Sequence, residues 1–166
     1  SVENTSETEI SVAPYAYVSR RGEPETVNFY ILHEGALGKF DGVLNELDYD
    51  DLQDLEGTGG PGERQEVVSV NQDGWLGFTD KYWMATLINE TGTPFDAVFK
   101  YVARNDGPEY RTEMRLPVHT VAPGATAETQ TRLFAGAKEL KTIEAYEDAG
   151  IPRFVDAIDW GWFFFL

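Results

Sequence analysis

The sequence contains no cysteine and only two histidines, His33 and His119, among its 166 residues. The missing cysteine excludes disulfides, zinc–thiolate sites and thiol catalysis, and it fits the cytosol and the periplasm equally well. Neither histidine lies in an HExxH motif or beside a GxSxG elbow, so no residue is predicted to be catalytic or to bind a metal. A Ser-His-Asp triad assembled in space stays open as an alternative, because its members need not be close in sequence.

Positive charge is scarce: 13 lysines and arginines face 29 aspartates and glutamates, which gives a net charge of -16. A chain with this charge is repelled by the phosphates of nucleic acids and by anionic lipid headgroups. The composition therefore argues against a nucleic-acid partner.

Long apolar runs are missing as well. The longest covers residues 160–166, well short of the roughly 20 apolar residues that a spanning helix requires, so the chain as given is expected to span no membrane. The opening SVENTSETEI has neither the basic start nor the apolar stretch of a signal peptide. We therefore expect Ser1 to lie at a fragment boundary.

What the sequence does contain is a pattern of β-strands joined by turns. Aromatic residues make up 13% of the chain, alongside 16 glycines and 8 prolines, and polar and apolar residues alternate through its middle. The predicted strands are residues 10–18, 27–32, 66–70, 82–88, 95–103, 110–116 and 126–134. Turn-forming sequences separate the later strands, so the chain is predicted to be a mainly β, antiparallel meander.

The alternation fails between residues 35 and 62, where we predict a long solvated excursion from the sheet. Its end, GTGGPG at residues 57–62, has the spacing GxGxxG. A dinucleotide loop must follow a buried strand and open a helix, whereas this one follows an acidic stretch and includes Pro61. We therefore predict a flexible loop that binds no cofactor, and we expect that removing residues 55–62 leaves the fold intact.

The same segment is rich in carboxylates. They are Asp48, Asp50, Asp51, Asp54 and Glu56. A calcium-binding EF-hand loop starting at Asp48 would need an oxygen ligand at its fifth position and glycine at its sixth, where the sequence has Leu52 and Gln53. A solvated acidic loop without a metal is the better interpretation.

Aromatic side chains crowd the stretch DGWLGFTDKYWMATLI, residues 73–88. They could form a ligand platform, but a packed turn of a β-sandwich is favoured, because aromatic residues dominate protein cores by their area. The predicted core of the β part consists of Trp75, Trp83, Leu87, Phe99, Met114, Leu116 and Phe134.

The period changes from that of strands to that of helices near residue 137. Residues 138–149 are predicted to form an amphipathic helix, which Gly150 and Pro152 would end. Its apolar positions are Leu140, Ile143 and Tyr146. A second helix is predicted to follow and to enter the aromatic C-terminal run. Its apolar stripe would consist of Phe154, Ile158, Trp162 and Phe165.

Three stretches, DGWLGFTDKYWMATLI, RLFAGAKELKTIEAYE and FVDAIDWGWFFFL, together resemble the periplasmic domain of YidC, the bacterial inner-membrane insertase, in its alphaproteobacterial form. The resemblance covers most of the chain and points to the C-terminal part of that domain. It implies an antiparallel β-super-sandwich, similar to galactose mutarotase, with C-terminal α-helices packed on it. We accordingly divide the chain into a β-sandwich part, residues 1–136, and a helical segment, residues 137–166, that leads to a membrane helix outside this chain.

The resemblance also implies a function. The chain would be a non-enzymatic module on the periplasmic side of the inner membrane, part of a multi-pass protein that helps inner-membrane proteins to insert and fold, alone or with the Sec translocon. Its expected partners are the accessory subunits SecD and SecF, nascent membrane proteins, and inner-membrane lipid at the C-terminal end. The membrane helices of the family are missing from the chain, so insertion cannot reside in these residues alone.

Two sets of site residues follow from this interpretation. A partner-docking surface is expected where the irregular segment meets the aromatic stretch, at Lys39, Phe40, Trp75, Phe78 and Lys81. A membrane interface is expected at Phe154, Ile158, Trp160, Trp162, Phe163 and Phe165, because aromatic residues flank the hydrocarbon layer. The alternative for this end is a buried helix of a self-contained domain.

A rival function follows from the mutarotase-like fold. The chain could be a carbohydrate-binding or carbohydrate-active periplasmic β-sandwich. A fold does not by itself carry a function, and with two histidines the sequence offers few candidates for a positioned acid and base. Binding of a defined sugar would favour this alternative.

Overall fold

The computed structural model describes residues 1–22, 24–26 and 32–158. Thirteen strands form within these residues. They are β1 Val2–Glu3, β2 Ile10–Val12, β3 Tyr15–Arg21, β4 Gly35–Phe40, β5 Val43–Asp48, β6 Glu63–Val70, β7 Gly74–Thr79, β8 Trp83–Ile88, β9 Phe95–Arg104, β10 Gly107–Arg115, β11 His119–Val121, β12 Thr126–Ala127 and β13 Arg132–Ala137. The helices are α1 Tyr49–Gln53 and α2 Leu140–Asp148, and a short 3-10 helix, Phe154–Ala157, is here called the C-terminal turn.

Two antiparallel sheets form the body of the fold. The five-stranded sheet has the order β13-β8-β7-β4-β5, and the four-stranded sheet has the order β3-β10-β9-β6. Two small pairs, β1-β12 and β11-β2, complete the strand pairing. The prediction of a mainly β, antiparallel sandwich with a C-terminal helix is confirmed.

The five-stranded sheet buries apolar side chains on both faces. Alternation along β7 sends Leu76 and Phe78 to one face and Trp75 to the other. The cluster between the sheets, the inner core, consists of Ala36, Phe40, Tyr49, Leu52, Val70, Leu76, Phe78, Leu87, Phe95, Ala97, Phe99, Tyr110, Met114 and Leu116. The cluster beneath α2, the outer core, consists of Leu37, Trp75, Met84, Ile88, Phe134, Ile143, Ile151, Phe154 and Ala157.

Residues 35–48 are not a solvated excursion, so that prediction is wrong. Every residue of β4 is buried, and β4 lies between β5 and β7 in the sheet. The turn between β4 and β5 is formed by Asp41 and Gly42, whose φ angles are 47° and 88°, as a tight two-residue hairpin requires. A strand covered on both faces shows no polar alternation, so the periodicity of the sequence does not reveal it.

The other strand predictions hold in part. The predicted strands 66–70, 82–88, 95–103 and 110–116 each correspond to an observed strand, and the ends differ from the prediction by a few residues. The predicted strands 10–18 and 126–134 are each broken into two, the first of them at Ala13 and Pro14. Predicted strand 27–32 falls almost wholly outside the described residues. The meander is only partial, because β3 and β6 reach their sheet by crossovers.

Six of the seven predicted core residues are buried. The exception is Trp83, which is 63% exposed. It is the first residue of β8 and borders an open groove beside β3 instead of entering the core.

The predicted helix at 138–149 is confirmed as α2, with Ile143 completely buried against the sheet. The second helix is limited, within the described residues, to the C-terminal turn, so the longer helix is not found there. Trp162 and Phe165 lie outside the described residues. The described part of the chain has no helix long and apolar enough to cross a bilayer. The domain division at residue 136 stays a prediction, and Phe134 and Ile143 on its two sides share one cluster.

Candidate functional site at the C-terminal anchor

The segment Ile151–Ile158 crosses the outer face of the five-stranded sheet and is held there by side chains from several elements. We call this set the C-terminal anchor. It consists of Lys39, Trp75, Phe134, Tyr146, Phe154 and Asp156.

Phe154 is the apolar centre of the anchor and is completely buried. Its ring meets Trp75 at 5.5 Å between centroids and 87° between planes, and it meets Phe134 at 5.5 Å and 79°. Tyr146 of α2 completes this cluster of rings, and its ring is edge-on to those of both Phe134 and Phe154. Edge-to-face pairs of this kind each contribute about 0.5–1.5 kcal/mol beyond the area that they bury.

Directional contacts add to this packing. The indole Nε1 of Trp75 donates to the carbonyl oxygen of Pro152 at 3.2 Å. The backbone N–H of Val155 donates to Oε2 of Glu147 at 2.9 Å, which ties the C-terminal turn to α2. The segment is therefore fixed to the sheet and to the helix at once.

An ion pair completes the anchor. Lys39 Nζ lies 2.6 Å from Oδ2 of Asp156, and Arg153 Nε donates to the same oxygen at 2.8 Å. Burial raises the pKa of Asp156, but hydrogen bonds from Arg153 and Lys39 outweigh it and hold the pKa below its usual value. The carboxylate is therefore ionised at neutral pH, and it is bound both from the sheet and from its own turn.

Strand register explains how the sequence builds this site. Lys39 of β4 pairs with Trp75 of β7 and with Leu44 of β5, so the three side chains lie in one row on the outer face. Lys39 is only 8% exposed, because the C-terminal turn covers it. Its aliphatic stem lies among apolar neighbours while its ammonium reaches the one carboxylate above it.

The predicted docking residues lie mostly inside the protein. Lys39, Phe40, Trp75 and Phe78 are buried and Lys81 is half-buried, so the exposure on which their docking role was argued is wrong. Phe40 and Phe78 belong to the inner core. Lys39 and Trp75 do come together, but in contact with the C-terminal segment. Their binding of a partner stays a prediction.

The predicted membrane-interface residues divide into two groups. Phe154 is completely buried, so the prediction that it faces lipid is wrong: its spacing reflects a place in the outer core. Ile158 is half-buried and packs against that core. Trp160, Trp162, Phe163 and Phe165 lie outside the described residues.

Sequence reasoning missed Asp156 of the anchor, and it missed Arg153 and Glu147, whose side chains also hold the C-terminal segment. The one available signal was a lysine inside the otherwise apolar run GALGKF, residues 35–40. A lysine at a strand position with apolar neighbours needs a buried partner. Nothing in the local sequence says that the partner is residue 156, because the two are 117 positions apart.

The acidic and glycine-rich segment has a structural role. Asp48 accepts from the backbone N–H of Asp51 and so starts α1 with a capping box. The glycine loop precedes strand β6 and no helix, and the N–H of Gln65 donates to Gly57 O at 2.7 Å. Among the residues with described positions, no cluster of three or more potential metal ligands occurs.

A surface groove lies between β3 and the edge of the five-stranded sheet that β8 and β13 form. This groove has a volume of about 460 Å³ and is lined by Val18, Arg20, Asp80, Trp83 and Ala135, among others. Arg20 and Asp80, which both line it, form an ion pair of 2.6 Å. The indole of Trp83, which also lines the groove, is 63% exposed.

Neither histidine is among the residues that line this groove. Nε2 of His33 lies 2.8 Å from the carbonyl oxygen of Ala36, and His119 is exposed on β11.

Comparison with known proteins identifies what the chain is similar to. The family model of the YidC periplasmic domain matches residues 1–166. The membrane protein insertase YidC of Dinoroseobacter shibae is 53% identical over 167 residues, which covers 100% of this chain and 27% of that protein. The same-named proteins of Paracoccus denitrificans and Ruegeria pomeroyi are 51% and 49% identical, over 99% and 100% of this chain and 26% and 28% of their own lengths. The chain thus spans about a quarter of the length of the curated relatives it matches.

Proposed function

We propose that this chain, which belongs to the YidC periplasmic domain family, is a non-enzymatic periplasmic module of a membrane-protein insertase. Its relatives are named membrane protein insertases, and they are nearly four times as long as the chain. The module would assist insertion and folding of inner-membrane proteins by contact and positioning. Insertion itself would belong to the rest of the full-length protein.

The observation that carries this proposal is the C-terminal anchor. The last described residues are bound to the centre of the sheet by Phe154, by the Trp75 indole and by Asp156. A folded module that positions partners next to a membrane must keep a defined orientation towards the part that follows it. An anchor with buried aromatic and ionic contacts supplies that stiffness, whereas a loose linker would not.

A non-enzymatic role agrees with the chemistry of the titratable groups. Hydrogen bonds from the backbone of Asn71 and Gln72 lower the pKa of Asp41 to about 2, and burial raises the pKa of Tyr49 to about 12. Asp41 ties a hairpin to a neighbouring loop, and Tyr49 packs inside the inner core. Both shifts therefore have structural causes, backbone hydrogen bonds for Asp41 and burial for Tyr49.

The partners are part of the proposal. We expect the module to contact nascent membrane proteins and the SecD and SecF subunits of the Sec translocon, and its C-terminal end to lie next to inner-membrane lipid. The net charge of -16 disfavours broad contact with anionic headgroups. Protein contacts, with lipid contact confined to the C-terminal end, agree best with this charge.

The test is replacement of the resident insertase in a bacterium by the full-length protein that contains this domain. Insertion of a reporter membrane protein is followed by protease accessibility. Restored insertion is expected, and its absence at normal expression would contradict the proposal. Photo-crosslinking from position 83, 133 or 15, whose side chains are all exposed, reports partners. Capture of SecD, SecF or the reporter is expected, and an absence of all three would contradict the proposed partners.

The carbohydrate alternative is favoured by one observation, the exposed Trp83 beside the Arg20–Asp80 pair in the groove. Calorimetric titration with a panel of monosaccharides and periplasmic glycans tests it. Stoichiometric binding that disappears in Trp83→Ala would support a sugar site. Heat signals that are the same in both proteins would count against it.

A further inference from the structure

We infer that the Lys39–Asp156 ion pair is a positioning device that fixes the direction in which the chain leaves the β-sandwich. The inference rests on the proposed function, because an exit direction matters only if the following segment has a fixed place. It gives Lys39 and Asp156 a positioning role that is distinct from a contribution to the stability of the fold. Three observations support it: the small number of apolar contacts made by the turn, the burial of Lys39, and the double binding of Asp156.

Apolar packing alone leaves the direction of the segment poorly defined. The C-terminal turn is only four residues long, and its buried side chains are Phe154 and Ala157. Burial of apolar area is favourable but has no preferred direction. The hydrogen bonds from Trp75 and to Glu147 involve only Pro152 and the N–H of Val155, so the direction of the turn beyond Val155 depends on a further contact.

The ion pair removes that freedom because a buried lysine must have a partner. Lys39 lies on strand β4, between β5 and β7 in the sheet, and is 8% exposed. A placement of the turn that still covers Lys39 but moves Asp156 away leaves a buried ammonium unpaired, which is strongly unfavourable. Buried ion pairs often add little net stability while selecting one arrangement over its competitors. The Asp156 carboxylate must therefore stay within hydrogen-bonding distance of the Lys39 ammonium.

Asp156 is also bound from its own turn. Arg153 donates from Nε to Oδ2 at 2.8 Å and from Nη2 to Oδ1 at 3.2 Å. Arg153 itself has a φ of 53°, so the chain reverses there into the C-terminal turn. The carboxylate thereby couples the entry of the turn to the sheet beneath it. The N–H of Ile158 closes the turn on Val155 O at 3.0 Å, at the end of the described chain.

The experiment compares matched variants of the full-length protein in lipid nanodiscs. The test variant is Lys39→Met with Asp156→Leu, which replaces the pair by apolar side chains of similar size. The control is Lys100→Met with Glu63→Leu, which removes another lysine–carboxylate pair, of 3.3 Å and similar exposure, in the four-stranded sheet. Hydrogen exchange of peptides covering residues 151–158, thermal unfolding of the domain and insertion of a reporter are measured for each.

A positioning role predicts a specific combination of results. The test variant should keep its thermal midpoint, because apolar replacement of a buried pair is close to neutral. Amide protection at residues 153–158 should fall by about tenfold while the sheets stay protected, and insertion should fall several-fold. The single variant Asp156→Leu should lower the thermal midpoint, since it leaves Lys39 unpaired. The control should match the wild type in all three measurements.

Two results would overturn the inference. Wild-type protection at residues 153–158 in the test variant would show that the apolar packing and the hydrogen bonds of Trp75 and Glu147 set the position without the ion pair. Loss of folding in the test variant would show that the pair is a stability element. Lower protection with unchanged insertion would support the positioning role and contradict the proposed function, so the two proposals fail separately.

Discussion

The inner and outer cores of this protein lie on opposite faces of the five-stranded sheet, and different kinds of contact hold them together. The inner core joins two sheets through apolar side chains such as Phe99, Met114 and Leu76, which are almost completely buried. The outer core holds a helix and a short turn, and it adds an ion pair and an indole hydrogen bond to its rings. The difference teaches that non-directional packing is sufficient to hold sheets whose register is already set by backbone pairing. A short segment without such pairing needs polar contacts to fix its place.

Removing one phenylalanine from each core is the strongest test of this comparison. Phe99→Ala and Phe154→Ala each delete a side chain that is at most 1% exposed. Each should lower the free energy of unfolding by about 3–5 kcal/mol, through lost burial and a residual cavity. Chemical denaturation measures the total loss.

Hydrogen exchange of the same variants separates the two cores. In Phe99→Ala, protection should fall across both sheets, because the inner core joins them. In Phe154→Ala, the fall should concentrate in α2 and the C-terminal turn. Equal loss of protection throughout both proteins would show that the cores unfold as one unit and would break the comparison.

Tyr49 gives a pH-dependent test of the inner core alone. Its ring packs edge-on to Tyr110 at 4.9 Å, and burial raises its pKa to about 12 against the opposing effect of Arg20. In the unfolded chain the hydroxyl ionises near pH 10, so the folded state keeps a proton that the unfolded state loses. Stability is therefore full below pH 10 and falls as the pH rises from 10 to 12.

The size of this effect is about 2–3 kcal/mol at most, from a shift of about two pKa units. Denaturation of the wild type and of Tyr49→Phe between pH 9 and 12 measures it. The phenylalanine variant should lose less stability over this range. Parallel curves for the two proteins would mean that Tyr49 is accessible to hydroxide and that α1 does not seal the inner core.

The pattern of the sequence predicted antiparallel strands well where polar and apolar residues alternate, whereas the sandwich was implied by the family resemblance. Residues 95–103 and 110–116 alternate clearly, and both lie in paired strands of the four-stranded sheet. Strand β4 was missed because both of its faces are covered, one by each core. The Asp-Gly sequence at residues 41–42, directly after this strand, is a hairpin signal that could have indicated it.

The site was less predictable, for a physical reason. Helical spacing marked Phe154 as apolar, but spacing cannot distinguish a lipid-facing ring from one buried against Trp75. The Lys39–Asp156 contact spans 117 positions and depends on how the turn lies on the sheet. Only the three-dimensional register of β4 with β7 places these groups together.

A substitution of Asp41 tests the β4–β5 hairpin, whose first strand contributes side chains to both cores. Its carboxylate accepts from the backbone N–H groups of Asn71, Gln72 and Asp73, at 2.9, 2.9 and 3.2 Å. These bonds tie the β4–β5 hairpin to the loop that leads into β7. Asp41→Ala should lower stability by about 1–2 kcal/mol, discounted for its exposure to solvent.

The pH dependence of this contact has the opposite sign to that of Tyr49. The pKa of Asp41 is lowered to about 2 by those backbone hydrogen bonds, against about 3.9 in an unfolded chain. Its contribution is complete above pH 4 and is lost as the pH falls from 4 to 2. Urea denaturation of wild type and Asp41→Ala at pH 7 and pH 2.5 should show a smaller difference at the lower pH. A difference that does not change would show that the carboxylate is not the tether.

The smallest expected effect concerns the glycine loop, which lies outside both cores but is joined to the inner one. Leu55 packs partly against the inner core, and Arg64 donates to Gln53 O, so deletion of all of residues 55–62 should cost more than loop closure alone. The loop is tight at one glycine and open at another. A Cβ at Gly57 would lie 2.1 Å from the backbone oxygen of Gln65, whereas one at Gly60 would lie 3.5 Å from a flexible glutamate.

Gly60→Ala should therefore change stability by about 0.5 kcal/mol in the favourable direction, because alanine restricts the unfolded chain without a clash. Gly57→Ala should cost about 1 kcal/mol, since strand β6 must shift to admit the methyl group. Paired thermal denaturation of the two variants is the measurement. If both are neutral, the loop is as loose as its composition suggests, and the inner core ends at Leu55. If both are destabilising, the whole loop is packed, and the boundary of the inner core must be extended to include it.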